Sequence, residues 1–322
     1  MICFWFEANL LRLTRQDPGS TSQSIDQSRQ PRPQWAAKQP NGDQRPPGTM
    51  GNARSRRRKY ETKDDSGDED DEYVQQLELH LTRLIAYAES ADPTLQREVA
   101  EKLANAAVKA ERQVQIVNLG GLRLLVPLTR SRDAEVRRLA AHALANLSVD
   151  AQNQIKLAED GAIPVLIGLL ACDGEVHVQR QASKALANIS VNIRNKKKVA
   201  QAGGIAPLVL LAASNHVGVR VEAVAALANL AVNDANELAI ATAGGLEIIL
   251  DGCRAPSVDL RSQCARALRN LSVHADNKAK LRDLGAVPLL RDLAAGGTQR
   301  AAAQAMRALQ NLEQGGGRES KK

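Results

Sequence analysis

Six segments of the chain share one pattern of apolar and polar positions. Around Asn146, the apolar residues Val136, Ala140, Leu144 and Leu147 lie at −10, −6, −2 and +1 relative to that Asn. At about 100° per residue, these positions form a single stripe along a helix. The same spacing surrounds an Asn in the other five segments. The pattern therefore predicts six amphipathic helices, each of which buries one face.

These six segments recur at a nearly constant interval along the sequence. Their polar landmarks are Asn105, Asn146, Asn188, Asn229, Asn270 and Asn311, at intervals of 41, 42, 41, 41 and 41 residues. A second landmark repeats at the same intervals, at Gly120, Gly161, Gly203, Gly244 and Gly285. A third lies eight residues before four of these glycines, at Asn153, Asn195, Asn236 and Asn277. Three landmarks with one period predict a tandem helical repeat.

Each full repeat is predicted to contain three helices. In the third unit, the first helix is expected from Asn153 to near Glu159, ending at Gly161 in a left-handed cap. The second is expected from about Ile163-Pro164 to Leu170, because proline is tolerated in a first turn. After the loop Ala171–Gly174, a longer third helix covers about 175–190.

This arrangement of three helices, with Gly between the first two and Asn late in the third, resembles the armadillo repeat. The resemblance covers about residues 75–313 and implies an all-α fold, a right-handed α-solenoid of five to six repeats. The first unit is incomplete, so residues 73–88 are expected to belong to an N-terminal cap. The unit at 298–313 is expected to be the C-terminal cap.

The landmark Asn and the residues four and seven positions before it share a second stripe on each third helix. We call this stripe, continued over all repeats, the ladder surface. Asn suits it because its amide can pair with both the N–H and the C=O of an extended chain. The alternative is that each Asn hydrogen-bonds locally within its repeat, and the two roles are compatible. In armadillo proteins this surface lines a groove, which would here accommodate about 12–15 extended residues.

Side chains at −4 on the ladder surface indicate the class of partner. They are Glu101, His142, Lys184, Ala225, Arg266 and Arg307. Nuclear-import receptors of the importin-α family have Trp at this position, which holds lysine stems of basic cargo. This chain has no Trp there, and its basic residues resemble the groove of β-catenin, which takes acidic segments. The resemblance thus implies a non-enzymatic scaffold for an acidic extended segment. An import adaptor, or the armadillo part of a larger enzyme, is the alternative.

Charge and composition divide the remainder of the chain. Residues 1–72 are predicted to be a disordered tail, within which 1–49 is a segment upstream of Met50, 50–60 is basic and 61–72 is acidic. The armadillo domain is predicted over 73–313, and 314–322 is a second tail. The run from Arg194 to Lys198 is expected to be a solvated basic edge rather than a nucleic-acid site.

Met50 begins a sequence that matches the N-myristoylation pattern. If translation starts there, Gly51 becomes the acylated residue. A single acyl chain anchors a protein weakly, and a second signal is required. The adjacent basic cluster could supply it on an anionic membrane, through Arg54, Arg56, Arg57, Arg58 and Lys59.

The combination of a lipidation motif with armadillo repeats resembles membrane adaptors that include the vacuolar armadillo scaffold. We therefore expect a cytoplasmic protein held on an endomembrane such as the vacuole, with the nucleus as the alternative. Ser66, followed by Gly67-Asp68-Glu69, resembles an acidophilic kinase site. Phosphate there would weaken the membrane attraction of the basic cluster.

Composition argues against enzymatic chemistry and base stacking. The chain contains seven aromatic residues, two Phe, two Trp and three Tyr, and the last is Tyr87. An Ala- and Leu-rich body without aromatic residues favours helices over sheets and offers nothing on which a base could stack. The sequence shows no phosphate loop, paired metal-ligand spacing or nucleophile motif. No cofactor, metal or small-molecule substrate is expected, and nucleic acid is not an expected partner.

Overall fold

A computed structural model describes residues 79–314 of the chain. These residues form seventeen helices and no strand. In chain order the helices are α1 (79–89), α2 (Pro93–Ala106), α3 (Ala110–Asn118), α4 (Gly121–Leu128), α5 (Ala134–Leu147), α6 (Ala151–Glu159), α7 (Ala162–Leu170), α8 (Val176–Ile189), α9 (Ile193–Gln201), α10 (Ile205–Ala212), α11 (Val217–Leu230), α12 (Asp234–Thr242), α13 (Gly245–Gly252), α14 (Val258–Leu271), α15 (Ala275–Asp283), α16 (Ala286–Gly296) and α17 (Gln299–Glu313).

The helices group into six repeats, as the sequence period predicts. Unit 1 contains α1 and α2, and units 2 to 6 each contain three consecutive helices, from α3–α5 to α15–α17. The predicted tail 1–72, with Gly51, the basic cluster and Ser66, lies outside the described residues, as do residues 315–322 of the predicted tail 314–322. Among residues 79–314, no helix combines the length and the apolar character that crossing a bilayer requires.

The third helices, which are α2, α5, α8, α11, α14 and α17, form the continuous core of the repeats. Each packs against the third helix of the next unit and, from unit 2 onward, against the second helix of its own unit. The predicted apolar stripe is confirmed in α5, where Val136, Ala140, Leu144 and Leu147 are at most 1% exposed. Cys264 occupies the equivalent of Ala140 in α14 and is also fully buried.

Buried asparagines at the start of the first helices join neighbouring repeats. The Nδ2 of Asn195 donates to the carbonyl of Gln154 in the preceding unit at 2.7 Å and to that of Ile189 at 3.2 Å. Asn236 makes the same pair of bonds, to Lys196 and Leu230, each at 3.2 Å. One amide therefore satisfies a carbonyl at the end of a third helix and a carbonyl of the neighbouring first helix. This is the physical reason for the third sequence landmark.

Glycine marks the turn between first and second helices, as predicted. Gly161 lies between α6 and α7 and has φ +92°. Residues with a Cβ adopt this left-handed backbone conformation only at an energetic cost. The actual helix bounds, Ala151–Glu159 and Ala162–Leu170, begin slightly earlier than the sequence suggested. Asp150 explains the earlier start of α6, because its side chain accepts from the backbone N–H of Gln152 and Asn153.

The residue after each turn glycine is packed against the side chain five positions earlier, and whether it is glycine or alanine depends on whether that side chain is branched at Cβ. A Cβ added to Gly245 would lie 2.6 Å from Cγ2 of Ile240 and 2.8 Å from its carbonyl oxygen. Gly121 and Gly204 face Ile116 and Val199 in the same way. In units 3 and 6 the position is instead alanine, opposite a leucine that has no branch at Cβ. Glycine therefore accompanies β-branched neighbours, and alanine accompanies leucine.

This pairing generates a test. Gly245→Ala should lower the free energy of unfolding by about 1–3 kcal/mol, because the new methyl group overlaps the Ile240 branch. Adding Ile240→Leu should restore much of the loss, as in units 3 and 6. Urea denaturation of the single and double variants measures both effects. Gly168→Ala in α7, where a Cβ meets nothing within 4 Å, is the control, and it should stabilise by roughly 0.5–1 kcal/mol. If Gly245→Ala had the same urea midpoint of unfolding as the wild type, the pairing would be contradicted.

Candidate functional site

The ladder surface exists as a row of partly accessible side chains on successive third helices. Five of the six ladder asparagines are half-buried, and Asn105 in unit 1 is exposed. At −4, Arg307 and Glu101 are exposed, His142, Lys184 and Arg266 are half-buried, and Ala225 is buried. The α-solenoid therefore brings the predicted residues onto one surface, although their exposure differs from unit to unit.

The ladder asparagines hydrogen-bond to the preceding repeat. The Nδ2 of Asn229 donates to the carbonyl of Ala187, and that of Asn270 to the carbonyl of Ala228, each at 2.8 Å. Asn188 and Asn311 likewise reach the preceding third helix, at Ser148 Oγ and Ser272 Oγ, both 3.1 Å away. The local role left open by the sequence is thus observed, but it operates between repeats rather than within one.

The hydrogen bond to the preceding repeat uses only one N–H group of each Asn side-chain amide. Asn has two N–H donors and a carbonyl acceptor, so a side chain pinned through one donor still has polar capacity for a partner. Asn146 differs, because its Nδ2 lies 3.3 Å from Nε2 of His142 on the same helix. Peptide binding by the ladder asparagines stays a prediction, and the inter-repeat bonds show how their side chains are held in position.

Charges on the ladder surface change sign along the chain. Unit 1 contributes Glu98 and Glu101, with Glu98 close to Lys102. In the middle, burial raises the pKa of the Glu222 carboxyl, and the positive charges of Lys184 and Arg180 oppose that rise. Burial, followed by the charges of Arg138 and Lys184, lowers the pKa of His142. Lys184 therefore acts electrostatically on groups in both adjacent units.

Arg266 has a structural contact as well as a charge. Its Nη2 donates to the carbonyl of Ala225 in the preceding unit at 3.1 Å, and its Nε is buried without a hydrogen-bond partner. Burial, and then the charges of Arg300 and Arg269, lower the pKa of this guanidinium. Its side chain is therefore partly used to join units 4 and 5.

The basic run from Arg194 to Lys198 is only partly a solvated edge. Arg194, Lys197 and Lys198 are exposed, whereas Asn195 is 2% and Lys196 6% exposed. The Nζ of Lys196 donates to the carbonyl of Ser190 and, at 3.4 Å, to that of Val191. The prediction was wrong for this lysine, because its position on α9 faces the end of the preceding third helix.

Sequence reasoning missed a row of exposed valines beside the ladder. Val108, Val149, Val191 and Val232 are 54–62% exposed, and each lies three residues after a ladder Asn. A cavity of about 230 Å³ beside Asn270 is lined by Ala231, Val232, Asp234, Glu237 and Val273. The same period that identified the Asn would have identified these valines, which add apolar area to the edge of the ladder surface.

Among residues 79–314, no group of three or more His, Cys, Asp or Glu side chains is placed to hold a metal ion. Cys172, Cys253 and Cys264 are free thiols. A hydrogen bond with Cys253, followed by burial, raises the pKa of the Cys264 thiol, which matches its core position.

Comparison with solved structures assigns the chain to a family. An engineered protein from the Northeast Structural Genomics Consortium is 33% identical, with a TM-score of 0.68, covering 73% of this chain and 97% of that chain. A designed armadillo repeat protein is 28% identical, with a TM-score of 0.67, covering 71% and 98% of the two chains. The chain belongs to the armadillo repeat family.

Two further comparisons extend this assignment. A designed armadillo repeat protein in complex with the peptide (KR)4 is 28% identical, with a TM-score of 0.65, covering 71% of this chain and 98% of that one. The family model of the SIL1/FES1/HPBP1 C-terminal domain matches residues 110–243. No curated protein matches the chain. These comparisons agree on an armadillo-like helical repeat fold for this chain.

The structural role of the ladder can be tested by removing one amide. Asn229→Ala should lower the free energy of unfolding by about 0.5–1.5 kcal/mol, because the Ala187 carbonyl loses its donor. Asn105→Ala is the matched control, since that side chain is exposed and makes no hydrogen bond among the described residues; its effect should stay within about 0.5 kcal/mol. Equal destabilisation by the two changes, measured by urea denaturation, would refute the inter-repeat role.

Proposed function

We propose that this armadillo protein is a non-enzymatic scaffold that binds an extended, acidic segment of another protein along the ladder surface. The observation that carries the proposal is the basic character of the −4 side chains in units 3, 5 and 6: Lys184, Arg266 and Arg307. No ion pair links any of these three to a carboxylate within residues 79–314. Basic side chains that form no ion pair favour an acidic ligand.

Main-chain recognition would come from the ladder asparagines. In units 3 to 6 the ladder Asn is held by the preceding repeat, so little conformational entropy is lost when it contacts a peptide. Third helices packed about 8–10 Å apart give five intervals of roughly 40–50 Å in total. An extended segment of about 12–15 residues would cover that distance.

Charge polarity supports one arrangement of the bound segment. Acidic residues of the partner would lie over units 5 and 6, while neutral or basic residues would lie over unit 1, near Glu98 and Glu101. The designed relative in complex with (KR)4 supports peptide binding by the fold. Its basic ligand would here meet Lys184 and Arg307. An import-adaptor function, the alternative, would require the opposite preference.

A charge-reversal experiment tests the acidic preference. The triple variant Lys184→Glu, Arg266→Glu and Arg307→Glu should weaken binding of the 14-residue peptide (Glu-Ala)7 on the order of 100-fold, at about 1 kcal/mol per lost charge contact. Fluorescence anisotropy with the labelled peptide, at low and high salt, measures this.

The matched control reverses the same amount of charge elsewhere. Arg194→Glu, Lys197→Glu and Lys198→Glu change exposed residues of α9, and binding should then change by less than about threefold. Tighter binding of (Lys-Ala)7 than of (Glu-Ala)7 by the wild type would reject the acidic scaffold and favour the import-adaptor alternative. Circular dichroism establishes that all variants are folded.

A second proposal concerns location, and it rests on the sequence from Met50 to Lys59. We infer a cytoplasmic scaffold attached to an endomembrane by a myristoyl group on Gly51 together with the adjacent basic cluster. The two signals complement each other, because a single acyl chain binds membranes reversibly and each basic residue adds about 1 kcal/mol on an anionic surface.

Flotation with phosphatidylserine-containing vesicles tests this attachment. Protein starting at Met50 and co-expressed with N-myristoyltransferase should float, whereas the Gly51→Ala variant and a variant with the five basic residues changed to Gln should each lose most binding. Ser66→Glu should reduce binding, because it adds negative charge near the basic cluster. Mass spectrometry of the native N-terminus that finds Met1 retained would overturn the proposal.

A further inference from the structure

Three guanidinium groups lie near one another where units 5 and 6 meet on the ladder surface. Arg266 and Arg269 are one turn apart on α14, and Arg300 is in the first turn of α17. Arg269 donates to Oε1 of Gln304, which lies one turn after Arg300 on α17, so the packing of α14 against α17 brings these side chains together. After burial, the largest effects on the pKa of Arg266 are the charges of Arg300 and Arg269, and both lower it.

Much of the hydrogen-bonding capacity of this cluster is unused. Arg266 donates one hydrogen bond, from Nη2 to the Ala225 carbonyl, and its buried Nε has no hydrogen-bond partner. Arg269 donates through Nη1 to Oε1 of Gln304 at 3.1 Å. Arg300 is exposed, and no carboxylate within residues 79–314 forms an ion pair with any of the three. Three positive charges that form no ion pair favour an anionic ligand.

The cluster is confined to one place in the repeat array. At the position of Arg269, immediately before the ladder Asn, units 1 to 4 have alanine. At the position of Arg300, units 3 and 4 have His177 and Gly218, and unit 5 has Asp259. The arrangement is therefore a feature of the junction between units 5 and 6, and the general basic character of the surface does not explain it.

The chemistry of the cluster fits a phosphate better than a carboxylate. Guanidinium groups bind phosphate and carboxylate oxygens in pairs of parallel hydrogen bonds. A phosphorylated serine carries nearly two negative charges and three acceptor oxygens near neutral pH, whereas a carboxylate carries one charge and two oxygens. Guanidinium groups on two adjacent third helices can share the three phosphate oxygens.

We propose that Arg266, Arg269 and Arg300 form a binding site for the phosphate group of a phosphorylated serine or threonine in an extended partner segment. The proposal rests on the proposed scaffold function and names the acidic group that units 5 and 6 would receive. Asn270 and Asn311, the ladder asparagines of units 5 and 6, would hold the peptide main chain.

Three peptides of identical length test the site. They have the sequence Glu-Ala-Glu-Ala-Glu-Ala-X-Ala-Glu-Ala-Glu-Ala-Glu, where X is phosphoserine, glutamate or serine. The phosphoserine peptide should bind the full-length protein about tenfold more tightly than the serine peptide and clearly more tightly than the glutamate peptide. Isothermal titration calorimetry gives the three affinities.

The variants separate a phosphate contact from general attraction. In the double variant Arg269→Gln/Arg300→Gln, the preference for the phosphoserine peptide over the serine peptide should fall from about tenfold to threefold or less. The control Arg194→Gln/Lys197→Gln removes two exposed charges from α9 and should leave the ratio near ten. Because Arg300 is exposed and makes no hydrogen bond or ion pair within residues 79–314, Arg300→Gln alone should lower the ratio while thermal unfolding is unchanged.

Each outcome has a defined meaning. If the serine peptide binds but phosphoserine adds nothing, the phosphate site is refuted and the scaffold proposal stands. If only the phosphoserine peptide binds, through Arg269 and Arg300, the site stands and the wider acidic preference fails. If neither peptide binds but phosphoinositide vesicles do, and the double variant loses that binding, the anion is a lipid headgroup and the assignment to a phosphopeptide is overturned.

Discussion

The structure depends on satisfying backbone carbonyls between repeats with side-chain amides. At each junction from unit 3 to unit 6, a ladder Asn donates to the end of the preceding third helix. Asn195, Asn236 and Asn277 do the same between first helices. Such bonds form only when the third helices lie close together. A repeat therefore completes its polar contacts only with its neighbour in place, which couples their stabilities.

The same constraint explains why the ladder surface is both rigid and variable. The asparagines are fixed because they hold the repeats together, and their unused amide atoms are presented at regular intervals. The −4 and −7 positions are under less structural demand, so Glu, His, Lys, Ala and Arg all occur at −4. Arg266 is an exception, since its guanidinium reaches the carbonyl of Ala225. The surface can therefore be specialised for a partner, unit by unit, without loss of the α-solenoid.

Much of this architecture was predictable because each sequence feature recurs at the same position in several repeats. A single Gly or Asn would be ambiguous, but the left-handed turn at Gly161 and the core stripe around Leu144 each recur in successive units, and the structure confirms both. The exposed valines beside the ladder recur with the same period, three residues after the ladder Asn, but were not among the predicted residues. Lys196 was assigned to a solvated edge because a run of four cations within five residues indicates exposure. One turn of helix α9 nevertheless faces inward, and there the ammonium reaches helix-end carbonyls.

By itself, the sequence determined the repeat period, the three-helix unit and the apolar stripe of the core, and it predicted the residues of the ladder surface. These follow from period and polarity, which are local properties of the chain. Only the tertiary structure decided that ladder amides bond across repeats, that Arg266 reaches the preceding unit, and that Arg269 and Arg300 lie close to it. Those contacts join residues 31 to 43 positions apart or depend on how two helices stack. Their distances are set by packing, and no spacing along the chain specifies them.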